Sequence, residues 1–458
     1  MSESPAAAEG PSVPVIALCE GETDGWLATA PPLERGLAAP DFKGRTGQVV
    51  VVPGPDGAPA RVLLGLGLAP GDPAAFRTLA GRLPAGRFRL EGTPGGLAPL
   101  DAAIAFALGL YRFERYRRRE TAPPTLEIQG VDPTAVAGIT DACALARDLI
   151  NTPANDLGPT ELEVAARELA GRFGADISVV CGDDLLAGGY PAVHAVGRAA
   201  AAGREPRMIE ITWGAAGRPH VVLVGKGVVF DTGGLDLKPS AGMRLMKKDM
   251  GGAAHVLALG AMILQAGLPI RLTILIPAVE NAVSGGAMRP GDVLATRKGL
   301  TVEVGNTDAE GRLILADALT RAGELAPDLT LDLATLTGAA RVALGPQLPP
   351  FFTDDEDLAA AIEAGARRAF DPVWRLPLWK GYTPSLESDI ADLKNDPDAW
   401  AQAGAMTAAL FLQKFAPPGP WAHFDIYAWN PRGQPGSPAG GEVHAIRGLF
   451  AMLQDRYG

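Results

Sequence analysis

The sequence has few cysteines and no long apolar run. Its three cysteines, Cys19, Cys143 and Cys181, lie far apart in 458 residues and form no CxxC pair. They provide no disulfide framework and favour a reducing compartment, so we expect a cytoplasmic protein. No run of about 18 apolar residues without charges, the length that a transmembrane helix needs, appears in the sequence. The N-terminal segment also lacks the basic and apolar regions of a signal peptide, so we expect no membrane association.

A surplus of basic residues is missing as well. Lys and Arg number 41 and Asp and Glu number 52, which gives a net charge of −11. A chain of this charge has no general attraction for DNA or anionic membranes, so we do not expect a nucleic-acid partner. Several catalytic motifs are absent too: HExxH, the P-loop and the GxSxG elbow. The single DTG, at residues 231–233, lies in an α/β pattern, which argues against an aspartic protease.

Short apolar runs alternate with helical patterns along the whole chain. In the first part the runs are at 13–18, 47–53 and 60–68, with helical spacing near 74–83 and 100–110. This alternation is typical of an α/β fold. We place a boundary near 125–135, which predicts a small N-terminal α/β domain over 1–130 and a larger α/β domain over 131–458. The larger domain should have helices on both sides of a mixed, mostly parallel sheet.

Residues 131–458 contain clearer patterns for strands and helices. Predicted strands are at 177–181, 207–213, 220–225, 270–278 and 329–335. The last two are almost continuously apolar, as in strands that are buried on both faces. Predicted helices are at 135–151, 160–174, 253–267 and 312–325. For the helix at 160–174 we expect Thr160 as the N-cap, with Glu163 completing a capping box.

Charged residues gather where these predicted elements end. The strand at 220–225 is followed by a loop over 226–239 that contains a Gly-Gly turn, and two further charged groups precede helices. In open α/β sheets ligands collect at the carboxyl ends of strands. Clustered carboxylates suit hard divalent cations, and two bridging carboxylates suit a metal pair. The residues are Lys226, Asp231, Lys238, Asp249, Asp308, Glu310 and Arg312.

Each of these residues also has an ordinary structural interpretation. A DxE pair at the start of a helix, such as Asp308 and Glu310, is commonly a capping and dipole feature. A lysine and an aspartate in a loop are commonly solvated. His255, on an apolar helix, is better explained as a hydrogen-bonded core residue than as a metal ligand. Single motifs therefore leave the choice between structure and chemistry open.

Three segments in order resemble one family. VGKGVVFDTGGLDLKP (224–239), MKKDMGGAA (246–254) and NTDAEGRL (306–313) resemble the leucyl aminopeptidase family of M17-type dinuclear metallopeptidases, and the spacings between them also agree. RDLINTPANDLGPTEL (147–162) and DLATLTGAA (332–340) are further family-like segments. The resemblance is strong over about 147–345. It is fainter from 346 to the end, where YTPSLESDIADLKN (382–395) and WAHFDI (421–426) still fit the family. It implies that 131–458 is a catalytic metallopeptidase domain.

The resemblance implies a metal-dependent aminopeptidase, a hydrolase that releases N-terminal Leu and similar residues from peptides. It implies two divalent metal ions per subunit, Mn²⁺ or Zn²⁺, with a hydroxide bridging them as nucleophile. Asp231 and Glu310 would bridge the metals, while Lys226 and Asp249 complete one site and Asp308 completes the other. A lysine ligand must first lose its proton, which a neighbouring metal would favour.

The resemblance also implies roles outside the metal ligands. Lys238 and Arg312 would be the catalytic side chains: Lys238 stabilises the oxyanion, and Arg312 holds a bicarbonate ion that serves as proton shuttle. The substrate-binding residues would be Lys238, Asp249, Thr335, Leu336 and Gly338. Asn306 should orient the turn of the octapeptide through an Asx hydrogen bond.

The implied assembly is a homohexamer that acts on peptide substrates. Two alternatives stay open for the activity. One is a dipeptidase of narrower specificity, such as one for Cys-Gly. The other is a family member with a regulatory or DNA-binding role, against which the net charge of −11 argues.

Overall fold

The computed structural model describes residues 12–38, 41–69, 71–92, 95–118, 121–397 and 402–458. The chain divides into two compact units. The first comprises Met1–Ala144 and Pro431–Ala439, and the second comprises Leu145–Asn430 and Gly440–Gly458. Each unit has its own sheet and its own apolar cluster.

The first unit is built on a five-stranded sheet with the order β2-β3-β1-β4-β5. The pairs β1–β3, β1–β4 and β4–β5 are parallel, and β2–β3 is antiparallel. The strands are β1 (Val13–Cys19), β2 (Val49–Pro53), β3 (Pro59–Gly67), β4 (Arg87–Leu90) and β5 (Thr125–Glu127). The helices are α1 (Thr23–Thr29), α2 (Pro32–Ala38), α3 (Ala74–Ala80), α4 (Pro99–Leu110) and α5 (Pro133–Asn151), the last of which contributes residues to both units.

The second unit is built on a nine-stranded sheet. The strand order is β15-β14-β17-β13-β8-β10-β7-β6. The ninth strand, β9, pairs with the carboxyl-terminal part of β10, and β8 pairs with the preceding part. Most pairs are parallel, while β6–β7, β7–β10 and β14–β17 are antiparallel. The strands are β6 (Asp176–Cys181), β7 (Arg207–Trp213), β8 (His220–Gly225), β9 (Gly227–Asp231), β10 (Arg271–Asn281), β13 (Leu329–Ala334), β14 (Pro350–Phe352), β15 (Trp374–Arg375) and β17 (Trp421–Asp425).

Two small sheets accompany the large one. They consist of β11 (Val293–Ala295), β12 (Thr301–Glu303) and β16 (Leu393–Lys394), and of β18 (Trp429–Asn430) and β19 (Gly440–Gly441). The helices are α6 (Pro159–Phe173), α7 (Asp184–Ala187), α8 (Pro191–Gly197), α9 (Ser240–Met243), α10 (Gly251–Ala266), α11 (Glu310–Glu324), α12 (Gly338–Leu344), α13 (Glu356–Arg368), α14 (Gly404–Gln413) and α15 (Ile446–Tyr457). Short 3-10 helices occupy Glu20–Glu22, Met246–Met250 and Lys380–Leu386.

Helices α10 and α11 cover opposite faces of the large sheet. Ile274 of β10 lies so close to α10 that a Cβ on Gly260 would be 2.4 Å from its Cδ1. The next residue, Leu275, belongs instead to the apolar cluster that contains Leu313 and Leu315 of α11. Successive strand residues face opposite sides of a sheet, so the two helices sandwich β10. Both helices begin next to the carboxyl ends of parallel strands, where ligands bind in such folds.

Helix α11 is fixed to its surroundings by a buried carboxylate. Asp317 accepts hydrogen bonds from the backbone N–H groups of Ala192 and Arg297, both at 2.8 Å. Burial raises the pKa of Asp317 to about 7, although these donors oppose the shift. The bonds tie the middle of α11 to the start of α8 and to the loop after β11. They therefore hold in place the helix whose first turn carries Glu310 and Arg312.

The predicted fold class is confirmed: a smaller and a larger α/β unit, with mixed, mostly parallel sheets. Two local predictions are wrong. Helix α6 is capped by Gly158, whose N–H donates to Glu161, because Pro159 occupies the first helical position. Thr160 and Glu163 instead contact Arg207. The 226–239 segment is not all loop, since β9 continues almost directly from β8.

None of the helices in the described ranges is long and apolar enough to cross a membrane.

Candidate metal centre

The site forms where β8, β9 and the start of α11 meet. Lys226 follows β8, Asp231 is the last residue of β9, and Glu310 is the first residue of α11. Asp249 lies in the 3-10 helix Met246–Met250, and Asp308 lies two residues before α11. One side-chain oxygen from each of Asp231, Asp308 and Glu310 lies within 4.8 Å of the others. Residues from three distant motifs are thus brought together.

Lys226 is at the buried end of the site. Its side chain is 3% exposed, and its Nζ lies 2.7 Å from Asp249 Oδ2 and 3.0 Å from Glu310 Oε1. The same Nζ donates to the carbonyl of Thr335 at 3.1 Å. Burial alone would lower the pKa of Lys226, but the carboxylates of Asp249 and Glu310 outweigh it and raise the pKa. Helix α11 packs tightly here: a Cβ on Gly311 would lie 2.5 Å from Lys226 Cε.

Lys238 is at the more open end. Its Nζ lies 2.8 Å from Asp231 Oδ2 and also forms an ion pair with Asp308. Burial would lower the pKa of Lys238, but Asp231 and Asp308 outweigh it and raise the pKa. This shift favours the ammonium form of Lys238. Each of the two lysines joins two carboxylates of the cluster.

The carboxylates repel one another. Burial and the neighbouring Asp231 raise the pKa of Glu310 to about 8, and the same two causes raise the pKa of Asp308 to about 6. Glu310 Oε2 is buried and has no hydrogen-bond partner among the described residues. A buried acceptor of this kind is costly unless a proton or a cation binds it. Clustered oxygens that include unsatisfied acceptors, with an adjacent amine, fit a divalent metal site.

The backbone around the carboxylates is held by side-chain amides. Asn306 Oδ1 accepts the backbone N–H of Asp308 at 2.8 Å, which confirms the predicted Asx turn. Asn281 donates to Asp231 Oδ1 at 2.8 Å and to the carbonyl of Thr307 at 3.1 Å. Asn281 is the last residue of β10, so it connects the end of that strand to the segments that contain Asp231 and Thr307.

Arg312 points into the same region from the first turn of α11. It is buried, and its Nη1 donates to the carbonyl of Asn395 at 2.6 Å. Its Nε has no hydrogen-bond partner among the described residues. Asn395 is itself fully buried and donates to the carbonyl of Asn306 at 2.8 Å. The guanidinium is thus fixed at one end and keeps donors for a further acceptor.

The predicted substrate-binding segment lies beside the metal ligands. Thr335 Oγ1 donates to Asp249 Oδ1 at 2.7 Å. Asp425, at the end of β17, accepts the backbone N–H of Leu336 at 3.0 Å and that of Thr337 at 3.1 Å. Helix α12 begins with Gly338 directly after this turn. Asp425 therefore sets the path of the segment that leads from β13 into α12.

A cavity of about 650 Å³ opens onto these groups. Nine of the ten predicted site residues line it, and Glu310 lies behind Lys226. The nine are Lys226, Asp231, Lys238, Asp249, Asp308, Arg312, Thr335, Leu336 and Gly338. His255 lies elsewhere in the core: its ring accepts the N–H of His444 and contacts the carbonyl of Gly251, as expected for a hydrogen-bonded core histidine.

Comparison with known proteins decides the family. Residues 144–449 match the "Cytosol aminopeptidase family, catalytic domain", and residues 13–128 match the "M17 aminopeptidase, N-terminal domain". The chain belongs to the cytosol aminopeptidase family. As a member of that family it is a metal-dependent aminopeptidase and a hydrolase, and the predicted resemblance is confirmed.

Individual members of the cytosol aminopeptidase family are similar over nearly the whole chain. The "Probable cytosol aminopeptidase" of Syntrophotalea carbinolica is 41% identical, covering 90% of this chain and 89% of the relative. The crystal structure of the cytosol aminopeptidase from Coxiella burnetii is 44% identical, covers 98% of each chain and has a TM-score of 0.92. The bottromycin maturation enzyme BotP in complex with Mn is 37% identical, covers 97% of this chain and 99% of its own, and has a TM-score of 0.86.

Three residues of this cytosol aminopeptidase site escaped prediction. Asn281, Asn395 and Asp425 lie outside the three sequence motifs, and their hydrogen bonds orient Asp231, Arg312 and Leu336. Asn395 and Asp425 do lie in two family-like blocks of the sequence, YTPSLESDIADLKN and WAHFDI. Those blocks were the available signal. Asn281 is the last residue of an apolar strand, and no sequence motif around it indicated a role in the site.

Proposed function

We propose that this chain removes N-terminal amino acids, Leu and similar, from peptides with the help of two divalent metal ions. The observation that carries the proposal is the cluster of Asp231, Asp249, Asp308 and Glu310 around Lys226 and Lys238 in one cavity. Mn²⁺ or Zn²⁺ would be held by Lys226, Asp231, Asp249, Asp308 and Glu310, with Asp231 and Glu310 shared. The metals would supply Lewis-acid activation of the attacking water and of the scissile carbonyl.

Lys238 would stabilise the charge that develops on the carbonyl oxygen. Its side chain is 14% exposed, so it reaches the cavity from a largely water-excluded position. Burial opposes the charged form, but Asp231 and Asp308 outweigh it and raise the pKa of Lys238. A fixed positive charge in such a site stabilises an oxyanion much more than it would in water.

Arg312 would hold bicarbonate as a proton carrier. The guanidinium is planar, and its Nε has no acceptor among the described residues, while Nη1 is engaged by Asn395. A planar guanidinium matches a carbonate-like anion in a two-point hydrogen bond. The bond to Asn395 would keep this plane in a constant orientation.

The substrate would lie along Asp249 and the segment that contains Thr335, Leu336 and Gly338. These residues line the cavity next to Lys238. We also propose a cytoplasmic homohexamer, with residues 1–130 as the N-terminal domain and 131–458 as the catalytic domain. The matched family regions, which end at 128 and begin again at 144, support that division.

Removal of metal tests the proposed function. Chelation should abolish hydrolysis of Leu-p-nitroanilide, and addition of Mn²⁺ or Zn²⁺ after removal of the chelator should restore it. Metal content is measured by mass spectrometry in the same samples. Full activity in a sample shown to be metal-free would contradict the proposal. A panel of dipeptides, with Cys-Gly among them, then distinguishes a broad aminopeptidase from a narrow dipeptidase.

Metal binding is expected to release protons. In chelator-stripped protein at pH 7, Glu310 with its pKa of about 8 and Lys226 with its raised pKa both carry protons that a metal must displace. Metal affinity should therefore rise with pH, by about tenfold per unit for each proton released. Isothermal titration calorimetry in two buffers of different ionisation enthalpy measures the number released.

The same titration at pH 8.5 is the control for this measurement, because Glu310, with its pKa of about 8, has then lost most of its carboxyl proton before metal is added. Fewer protons should be released there than at pH 7. Heats that do not depend on the buffer between pH 6 and 8 would contradict the predicted protonation of both residues.

A further inference from the structure

A second pair of cations lines the cavity, apart from the residues discussed so far. Lys248 precedes Asp249 in the 3-10 helix Met246–Met250 and is only 5% exposed, yet it borders the cavity. Arg341 lies on α12, one turn after Gly338, and borders the same cavity. These two cations therefore stand on the side of the cavity that holds the proposed substrate segment.

Both cations lie against one aromatic ring. Lys248 Nζ is 4.5 Å from the ring centroid of Tyr427, and Arg341 Cζ is 5.1 Å from the same centroid. Tyr427 is half-buried, follows Asp425 by two residues and also borders the cavity. Cation–π attraction of this kind holds a charged group at a ring face without neutralising its charge. The ring of Tyr427 thus holds the positive charges of Lys248 and Arg341 near each other at the cavity.

Neither cation forms an ion pair within the described part of the chain. No carboxylate there lies within 4.0 Å of Lys248 or Arg341, and neither side chain donates a hydrogen bond. Lys226 and Lys238 in the same cavity each contact two carboxylates. The nearby Asp425 already accepts from Leu336 and Thr337. Lys248 is largely buried and borders the cavity without a protein acceptor, so a ligand acceptor at this point would be favourable.

We propose that Lys248 and Arg341 form a subsite for a carboxylate of the peptide substrate. The inference rests on the proposed function and adds a substrate preference to it. Two sources of carboxylate fit the chemistry: the side chain of an N-terminal Asp or Glu, and the C-terminal carboxylate of a dipeptide. In either case a charge-assisted hydrogen bond to Lys248 Nζ forms within the cavity.

Pairs of substrates that differ only in charge test the subsite. Glu- and Gln-p-nitroanilide differ in the side-chain carboxylate, and Leu-Gly and Leu-Gly-amide differ in the terminal carboxylate. The wild type should favour the charged member of at least one pair in kcat/KM. Lys248→Met, which keeps the apolar stem, should lower that charged-to-neutral ratio about tenfold. The pair whose ratio falls identifies the source of the carboxylate.

Lys247→Met is the matched control. Lys247 lies next to Lys248 in the same 3-10 helix, donates to the carbonyl of Asn151 at 2.6 Å and lies 5.6 Å from the ring centroid of Trp429. It does not border the cavity. Both ratios should keep their wild-type values in this variant. Arg341→Met, at an exposed position, should lower the same ratio as Lys248→Met and covers the case in which Lys248→Met does not fold.

Three outcomes overturn the inference. The first is that both ratios are unchanged in Lys248→Met and Arg341→Met while the wild type cleaves Leu-p-nitroanilide. The second is a uniform loss of kcat/KM on all four substrates, which would show that Lys248 only offsets the buried charge of Asp425. The third is a wild type that cleaves none of the substrates when loaded with metal, which would overturn the proposed function and this inference with it.

Discussion

Asp308→Ala should lower kcat/KM on Leu-p-nitroanilide by at least about a thousandfold, because it removes a ligand from the proposed metal pair. Asp308 contributes one of the three clustered oxygens and pairs with Lys238. Its backbone N–H is held by Asn306, and that bond survives the substitution. The side chain is 32% exposed, so its truncation leaves no closed cavity in the core. We therefore expect folded protein that has lost metal and activity together.

Asp292→Ala serves as the matched control for Asp308→Ala. Asp292 is 28% exposed and also pairs with a basic residue, Arg289, but it does not border the cavity. Its activity should stay within about twofold of the wild type. Thermal unfolding of both variants checks the fold, and mass spectrometry counts the metal. An active Asp308→Ala variant would remove Asp308 from the ligand set.

Lys238→Ala is the second large effect that we expect. Loss of the positive charge should lower kcat by about 10² to 10³ with a smaller change in KM, as for the removal of an oxyanion donor. Unlike Asp308→Ala, this variant should still bind metal, because Lys238 is not among the proposed ligands. Steady-state kinetics and metal analysis on one preparation separate the two roles.

Lys394→Ala controls for the loss of a lysine at equal burial. The side chains of Lys238 and Lys394 are 14% and 13% exposed, and Lys394 pairs with Glu303 outside the cavity. Near-normal kcat in Lys394→Ala beside a large loss in Lys238→Ala supports the assignment. A Lys238→Ala variant with normal kcat would show that the developing charge is stabilised elsewhere.

The sequence predicted those parts of the site that lie inside short motifs. Asp308, Glu310 and Arg312 stand within five residues of one another, and their chemistry is visible before any folding is considered. Three strands that lead towards the site, β8, β10 and β13, were also predictable, since they are apolar runs. The class of fold followed from the alternation of such runs with helical spacing.

The supporting residues could not be predicted in the same way. Asn395 acts through bonds to residues 83 to 90 positions away, and Asp425 through bonds to residues 88 and 89 positions away. The sequence next to Asn395 or Asp425 contains no pattern that predicts its hydrogen-bond partner, because only the tertiary fold brings the two residues together. The strand β9 was missed for a different reason. Only Lys226 separates it from β8, so no turn signal marks its start.

Gly311 shows why the octapeptide needs a residue that takes no part in the chemistry. Its α-carbon is pressed so close to Lys226 that a Cβ would lie within 2.9 Å of three side-chain atoms of the lysine. A lysine free in solution has many rotamers, and fixing them costs about 2 kcal/mol of conformational entropy. Here helix α11 restricts those rotamers when the chain folds. The amine of Lys226 is therefore already oriented before a cation binds. Binding of the cation does not require the further loss of side-chain conformational entropy that a mobile lysine would undergo.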